Sequence, residues 1–221
     1  MSSNYSYHRI LPQNAKDSYK EFDVVDFELD FPERSLLLGT VRLEGEVEVL
    51  VDNTITLNRA ENTSLGINAD TMDIKLDGNA GAHSFIENVT TTINGQVIES
   101  IGDYARYVKM STIAMSSPSD VSCNSSQVCE LKAGSDEITN NILGGETVAN
   151  DPTMSDGIPV RNNPDFSLKV RNCLNGGQGS VPSRRAGNIQ VSFNLARNYG
   201  ALYGMNMSSV TTYSLKNLRL V

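Results

Sequence analysis

Residues 41–51 read VRLEGEVEVLV. Leu43, Val47, Val49 and Val51 share one face of an extended chain, and Arg42, Glu44, Glu46 and Glu48 share the other. A period of two marks a strand with one buried and one wet face. The preceding stretch FDVVDFELDF (22–31) repeats the pattern, with Val25, Phe27, Leu29 and Phe31 against Asp26, Glu28 and Asp30, and Pro32 stops it. Short runs follow at sandwich-like spacing. They carry Ile55 and Leu57, then Met72, Ile74 and Leu76, then Phe85, Val89 and Ile93. Two of them end in residues that accept positive φ cheaply, Asp77-Gly78-Asn79 and Asn94-Gly95.

The stretch FIENVTTTINGQVIESIGDYARYVKM (85–110) predicts a Thr-rich strand, an Asn-Gly turn and then a helix beginning Ser-Ile-Gly-Asp. Ser100 and Asp103 form its expected capping pair. Ile101, Tyr104, Ala105, Val108 and Thr112 recur at helical spacing as its apolar face. From 116 to 165 the chain is rich in Ser, Asn, Gly, Asp and Pro, which predicts long surface excursions suited to contact. Alternation resumes at Phe166, Leu168 and Val170, and again at Ile189, Val191, Phe193 and Leu195. The last run, VTTYSLKNLRLV (210–221), changes phase between Leu215 and Leu218, as a β-bulge would change it.

No βαβ rhythm is present, so the expectation is an all-β chain: a single eight-stranded jelly-roll β-sandwich with one principal helix and long loops. An immunoglobulin-type sandwich would be smaller and would usually keep a core tryptophan, and this chain has none. Residues 1–21 are polar and without periodicity, an extended N-terminal arm. Residues 22–221 are the jelly-roll domain.

Several chemistries are disfavoured. A net charge of −8 argues against coating nucleic acid, which requires a basic face. Arg184, Arg185, Lys169 and Arg171 are read as solvated strand faces, with an acidic neighbour or nucleic acid as the alternative. The two histidines, His8 in the arm and His83 in a Gly-Ala loop, form no H-x-H pair for a cupin metal, and no G-x-S-x-G elbow is present. The expectation is therefore no enzyme, no cofactor and no metal site. D-x-K-x-D-G (73–78) reads as a hairpin turn rather than a calcium loop, and NGGQGS (175–180) as a loop rather than a phosphate cradle. Three cysteines, Cys123, Cys129 and Cys173, favour free thiols, although C-x5-C could close a small loop. The first residues lack a signal peptide's apolar region, and no run is long enough to span a membrane. The N-x-S/T triplets at Asn4, Asn62, Asn88, Asn124 and Asn206 reflect composition.

A strand ending in TING followed by a helix ending in YARYV resembles the major capsid proteins of virophages, polinton-like viruses and their relatives. SLLLGTVRLEGEVEVLV (35–51) and VPSRRAGNIQVSFNLARNYGALYG (181–204) are similar to two further stretches of that family, so the resemblance covers most of residues 22–221. It implies two upright jelly rolls in one chain, three chains making a capsomer of an icosahedral shell. At 221 residues this chain holds one roll. The resemblance thus implies a structural protein of the virion, made in the host cytoplasm or nucleus. It would be a major capsid protein or one half of it, with a single-roll penton as the alternative. Its partners would be itself and other capsid proteins, as trimeric or pentameric capsomers. A carbohydrate-binding jelly roll is a remoter reading, disfavoured by the absence of Trp platforms.

Shell proteins use their surfaces to meet copies of themselves. Tyr5, Tyr7, His8, Ile10 and Leu11 in the arm are the candidate intersubunit contacts, together with Tyr199 and Tyr203 beside Gly200 and Gly204.

Overall fold

The computed structural model describes residues 6–30, 34–51, 55–56, 73–75, 80–115, 165–182, 186–205 and 211–221. Phe31, Leu57, Met72, Leu76, the Asp77-Gly78-Asn79 turn, the excursion 116–164, Cys123, Cys129, Arg184 and Arg185 lie outside them, as do Tyr5 and the triplets at Asn4, Asn62, Asn124 and Asn206.

The strands are β1 (Val24–Leu29), β2 (Ser35–Leu37), β3 (Arg42–Val51), β4 (Ile55–Thr56), β5 (Asp73–Lys75), β6 (Ile86–Ile93), β7 (Gln96–Ile101), β8 (Asp165–Lys169), β9 (Ser180–Pro182), β10 (Ile189–Leu195), β11 (Tyr203–Met205) and β12 (Thr211–Leu220). One sheet has the order β1-β10-β6-β7. In the other, β12 lies on one side of β3, and β8 and β4 share its opposite side. β8 pairs with Arg42–Glu46, and β4 with Leu50 and Val51. All these pairs are antiparallel. β1 sits beside β10 although Val24 and its partner Asn194 are far apart in the chain, the long return that a jelly roll requires.

The fold is all-β and a jelly-roll sandwich, but the described strands number twelve rather than the expected eight. The four strands that the sequence pattern does not announce are β2, β7, β9 and β11. β2, β9 and β11 hold three residues each, too few for a period of two to show in sequence.

Alternation explains the layers. Val25, Phe27 and Leu29 of β1, Leu43 and Val47 of β3, and Ile189, Val191, Phe193 and Leu195 of β10 are buried, and the residues between them are wetter. The two inner faces meet through aromatic rings. Phe85, at the entry to β6, lies 4.9 Å from Tyr213 and 6.4 Å from Phe166 of the opposite sheet, and within the first sheet Phe27 meets Phe193 edge-on at 5.8 Å. Such pairs add ~0.5–1.5 kcal/mol each beyond area burial. On the outer face, the acidic row of β3 meets cations of β12, with Glu44 paired to Arg219 (2.8 Å) and Glu48 to Lys216 (2.7 Å).

The 85–110 stretch differs from its expected form. Asn94 (φ 50°) and Gly95 (φ 77°) both take left-handed backbone, and they return the chain as β7 against β6. This is the primed hairpin turn that Asn-Gly favours. Ser100 is therefore a strand residue, its hydroxyl 3.4 Å from that of Thr90, and no helix cap. The principal helix, α1, spans Tyr104–Met115, two residues past β7. Its buried face is Tyr104, Val108 and Thr112, as the spacing predicts.

Candidate assembly surface

β1 and β12 are edge strands of the two sheets. An uncovered edge invites pairing with any passing strand. The stretch expected as an extended arm lies, over residues 6–21, along its own chain at this seam. Ile10 and Leu220 exchange backbone hydrogen bonds at 2.8 and 2.9 Å, and Tyr19 and Leu215 do so at 2.8 Å both ways. Between these bridges the arm swings toward β1. Gln13 N–H donates to Asp26 O (2.7 Å), Asn14 Nδ2 to Val24 O (2.5 Å), and the Gln13 amide to the Glu28 carboxylate. Tyr19 is 1% exposed and its ring belongs to the core. Its hydroxyl donates to Asn14 O (3.2 Å) and accepts from Lys16 N–H (3.1 Å).

The arm joins β1 through a turn. Asp23 N–H donates to Lys20 O (3.1 Å), and Phe22 has φ 64°. The Asp23 carboxylate accepts from Lys20 N–H (2.8 Å) and Lys16 Nζ (2.8 Å). Burial alone would raise the Asp23 pKa, but the Lys16 bond, the Lys20 amide and both ammonium charges together hold it below the usual carboxylate range.

Among the predicted contacts, Tyr7 is 87% exposed and Leu11 70% exposed, and Ile10 is turned onto its own chain. His8 is exposed, its Nε2 within 3.0 Å of Ser6 Oγ and 2.5 Å of Arg34 Nη1. Tyr199 is 74% exposed, and Tyr203 pairs with Lys75 in the β5–β11 ribbon. The structure thus leaves Tyr7, His8 and Leu11 exposed on the arm and Tyr199 exposed beyond β10.

It gathers another group instead. The Arg197 guanidinium lies 5.4 Å from the Phe22 ring centroid and 5.9 Å from that of Tyr199, and Nη1 donates to the Tyr199 hydroxyl (2.5 Å). That hydroxyl, with Glu87 and Glu21 nearby, raises the Arg197 pKa further. Exposed Phe, Arg and Tyr in one cluster match the composition of interface anchors. Sequence reasoning found Tyr199 but not Arg197 or Phe22, which become neighbours only through β1–β10 pairing. Further exposed apolar side chains are Val97 and Ile98 on β7 and Tyr107, Met110 and Ile113 on α1.

Arg171, read as a solvated strand face, instead secures α1. Its backbone N–H donates to the Tyr104 hydroxyl (2.7 Å), and its guanidinium donates to Ser111 (2.6 Å) and Thr112 (3.1 Å). His83, read as a loop residue, is in a buried 3₁₀ helix, Gly81–Phe85, with its ring 5.7 Å from that of Tyr104. The Cys173 pKa is raised, chiefly by burial and then by Glu99, so the group stays a thiol rather than a nucleophilic thiolate. Among the described residues no three His, Cys, Asp or Glu converge as metal ligands, and no helix is long and apolar enough to cross a membrane.

The PBCV-1 virus capsid matches all of this chain at 13% identity and a TM-score of 0.51, over 43% of the compared chain. The fold is that of a viral capsid jelly roll. The mavirus major capsid protein also matches over the whole chain, at 12% identity and a TM-score of 0.44, covering 47% of its own length. PBCV-1 VP54, as fitted into the virophage Sputnik, does so at 11% identity and a TM-score of 0.42, covering 43%. The chain thus spans less than half the length of the solved structures it matches. No protein-family model matches the sequence, and no curated protein does.

Proposed function

We propose that this chain is a structural capsid protein, one jelly roll that assembles with copies of itself or with kindred rolls into the capsomers of an icosahedral shell. The observation that carries this reading is the whole-chain likeness of fold to the PBCV-1 capsid chain. The quoted sequence stretches point the same way, and the exposed Arg197, Phe22 and Tyr199 cluster is a surface suited to subunit contact. Tyr7 and Leu11 supply further anchors for a neighbouring subunit. The role is structural rather than enzymatic, and the place of action is the virion.

The length relation supports two versions of this role. A chain matching 43% of a capsid chain serves as one half of a major capsid protein, or as a single-roll protein at the vertices. Negative-stain imaging of the purified protein, alone and with kindred rolls, separates them. Hexagonal capsomers favour the major-capsid role and five-fold rings the vertex role. Isolated monomers under every condition would refute both.

A further inference from the structure

Phe22 stands where a turn normally requires glycine or asparagine. The Lys20–Asp23 turn, with negative φ at Glu21 and φ 64° at Phe22, has the sign pattern of type II. Left-handed backbone is costly for any L-residue with a Cβ, and a bulky side chain there is an outlier. Burial of the ring does not offset the strain, since Phe22 is mostly exposed and meets the Arg197 guanidinium at 5.4 Å.

On one side of this turn lies the arm. It is held by four backbone hydrogen bonds to β12, by Gln13 and Asn14 against β1, and by buried Tyr19. The surface on which the arm lies belongs to residues 23–221, from the Asp23 carboxylate onward, so any other copy offers the same one. Straightening the turn would lift the arm, relieve Phe22 and expose the seam.

We propose that residues 6–20 exchange between two copies of this chain, with Phe22 as the strained hinge. Each arm then seals the β1–β12 seam of the other copy with the same bonds it makes in its own. Short strained hinges favour this outcome, because the exchanged dimer regains every contact outside the hinge and sheds the hinge cost. The exchange goes beyond the shell reading and does not depend on it.

The test uses two full-length variants, Ile10→Cys and Leu220→Cys, refolded together at high concentration and oxidised. Ile10 and Leu220 are a hydrogen-bonded antiparallel pair, so their Cα atoms lie about 5.5 Å apart, within disulfide reach. Mass spectrometry of the peptides holding positions 10 and 220 reads the bond between the two chains directly. A single chain carrying both cysteines, closing its own bond in dilute solution, fixes the yield against which absence is judged.

The expected result is the crossed disulfide, with a sedimenting dimer whose fraction grows with concentration. Phe22→Gly, or Phe22→Asn should that variant fold poorly, should lower both, with the dimerisation constant falling roughly tenfold for each of the two hinges, the factor that ~1.4 kcal/mol of strain represents. No crossed disulfide, or a dimer fraction unchanged by relaxing position 22, overturns the exchange. Neither readout requires a shell to form, so failure here and failure of capsomer assembly are separate results.

Discussion

Gly45 and Leu218 meet where β3 and β12 fall out of step: a Cβ on Gly45 would lie 2.6 Å from Leu218 Cδ2 and 3.2 Å from Lys216 O. Lys216 pairs with Glu46 and Arg219 with Glu44, so Asn217 and Leu218 together oppose Gly45 alone. Asn217 takes φ 51°, which its short polar side chain tolerates. The bulge is what lets Leu215, Leu218 and Leu220 all point inward.

Gly45→Val should therefore destabilise the fold by ~1–3 kcal/mol, the usual cost of forcing volume into a packed core. Leu218 can swing away, but the backbone oxygen of Lys216 cannot. Urea unfolding should show a lower midpoint at an unchanged slope. A midpoint equal to wild type would mean that the bulge yields without strain.

Tyr104→Phe leaves the Arg171 N–H without its hydroxyl acceptor at 2.7 Å. A fully buried donor left unsatisfied costs ~1–3 kcal/mol, and this bond is part-buried, so the loss should lie near the lower end. The loss should concentrate in α1 and the end of β8, because Arg171 also bonds Ser111 and Thr112. Hydrogen exchange at the Arg171 amide and along α1 should quicken more than exchange in β10. Uniform quickening across the sandwich would contradict the local account.

What the sequence made legible was one-sided burial. β1, β3, β8 and β10 each bury alternate residues, so their hydrophobic pattern is a direct imprint of the core, and the β12 bulge showed as a phase shift. β7 left no such imprint. It is an edge strand whose Val97 and Ile98 are both exposed, so its residues alternate with nothing and the sequence pattern starts the helix too early. The burial of His83 depends on a 3₁₀ helix packed under α1, which no local pattern records. The docking of the arm was equally hidden, since it runs through backbone groups and polar side chains rather than apolar periodicity. The turn beside it carries Phe22 instead of the residue that would have announced it. Of the predicted contacts, Tyr7, Leu11 and Tyr199 are exposed, with Tyr199 held by Arg197, and Ile10 is claimed by Leu220.

Phe27 and Phe193 should be energetically coupled. Each is fully buried, and their rings meet at 81° and 5.8 Å. Either residue changed to Ala should cost ~3–5 kcal/mol. The double variant should cost less than the sum by about 0.5–1.5 kcal/mol, the value of an edge-to-face pair. Strict additivity in denaturant unfolding would show that the rings merely fill space.

Acid should act first on the arm. The Asp23 pKa lies below the usual carboxylate value in the fold, so near pH 4 the unfolded chain binds this proton more readily than the folded one. The ionised group therefore contributes stability above a pH of about 3.9. That contribution is lost as pH falls through the lower folded pKa, when Lys16 Nζ and Lys20 N–H lose their ionised acceptor. Asp23 is partly solvated and its Lys16 partner half-exposed, so the effect is modest. Asp23→Asn should lower the melting temperature at pH 7 and converge with wild type only once pH has fallen below the depressed folded pKa, where both side chains are neutral. Protection of the Tyr19 and Leu215 amides, measured against their intrinsic exchange rate at each pH, should fall over the same interval, because those bonds fasten the stretch that the turn holds in place. Melting curves that stay parallel from pH 7 to pH 3 would rule out Asp23 as the titrating group.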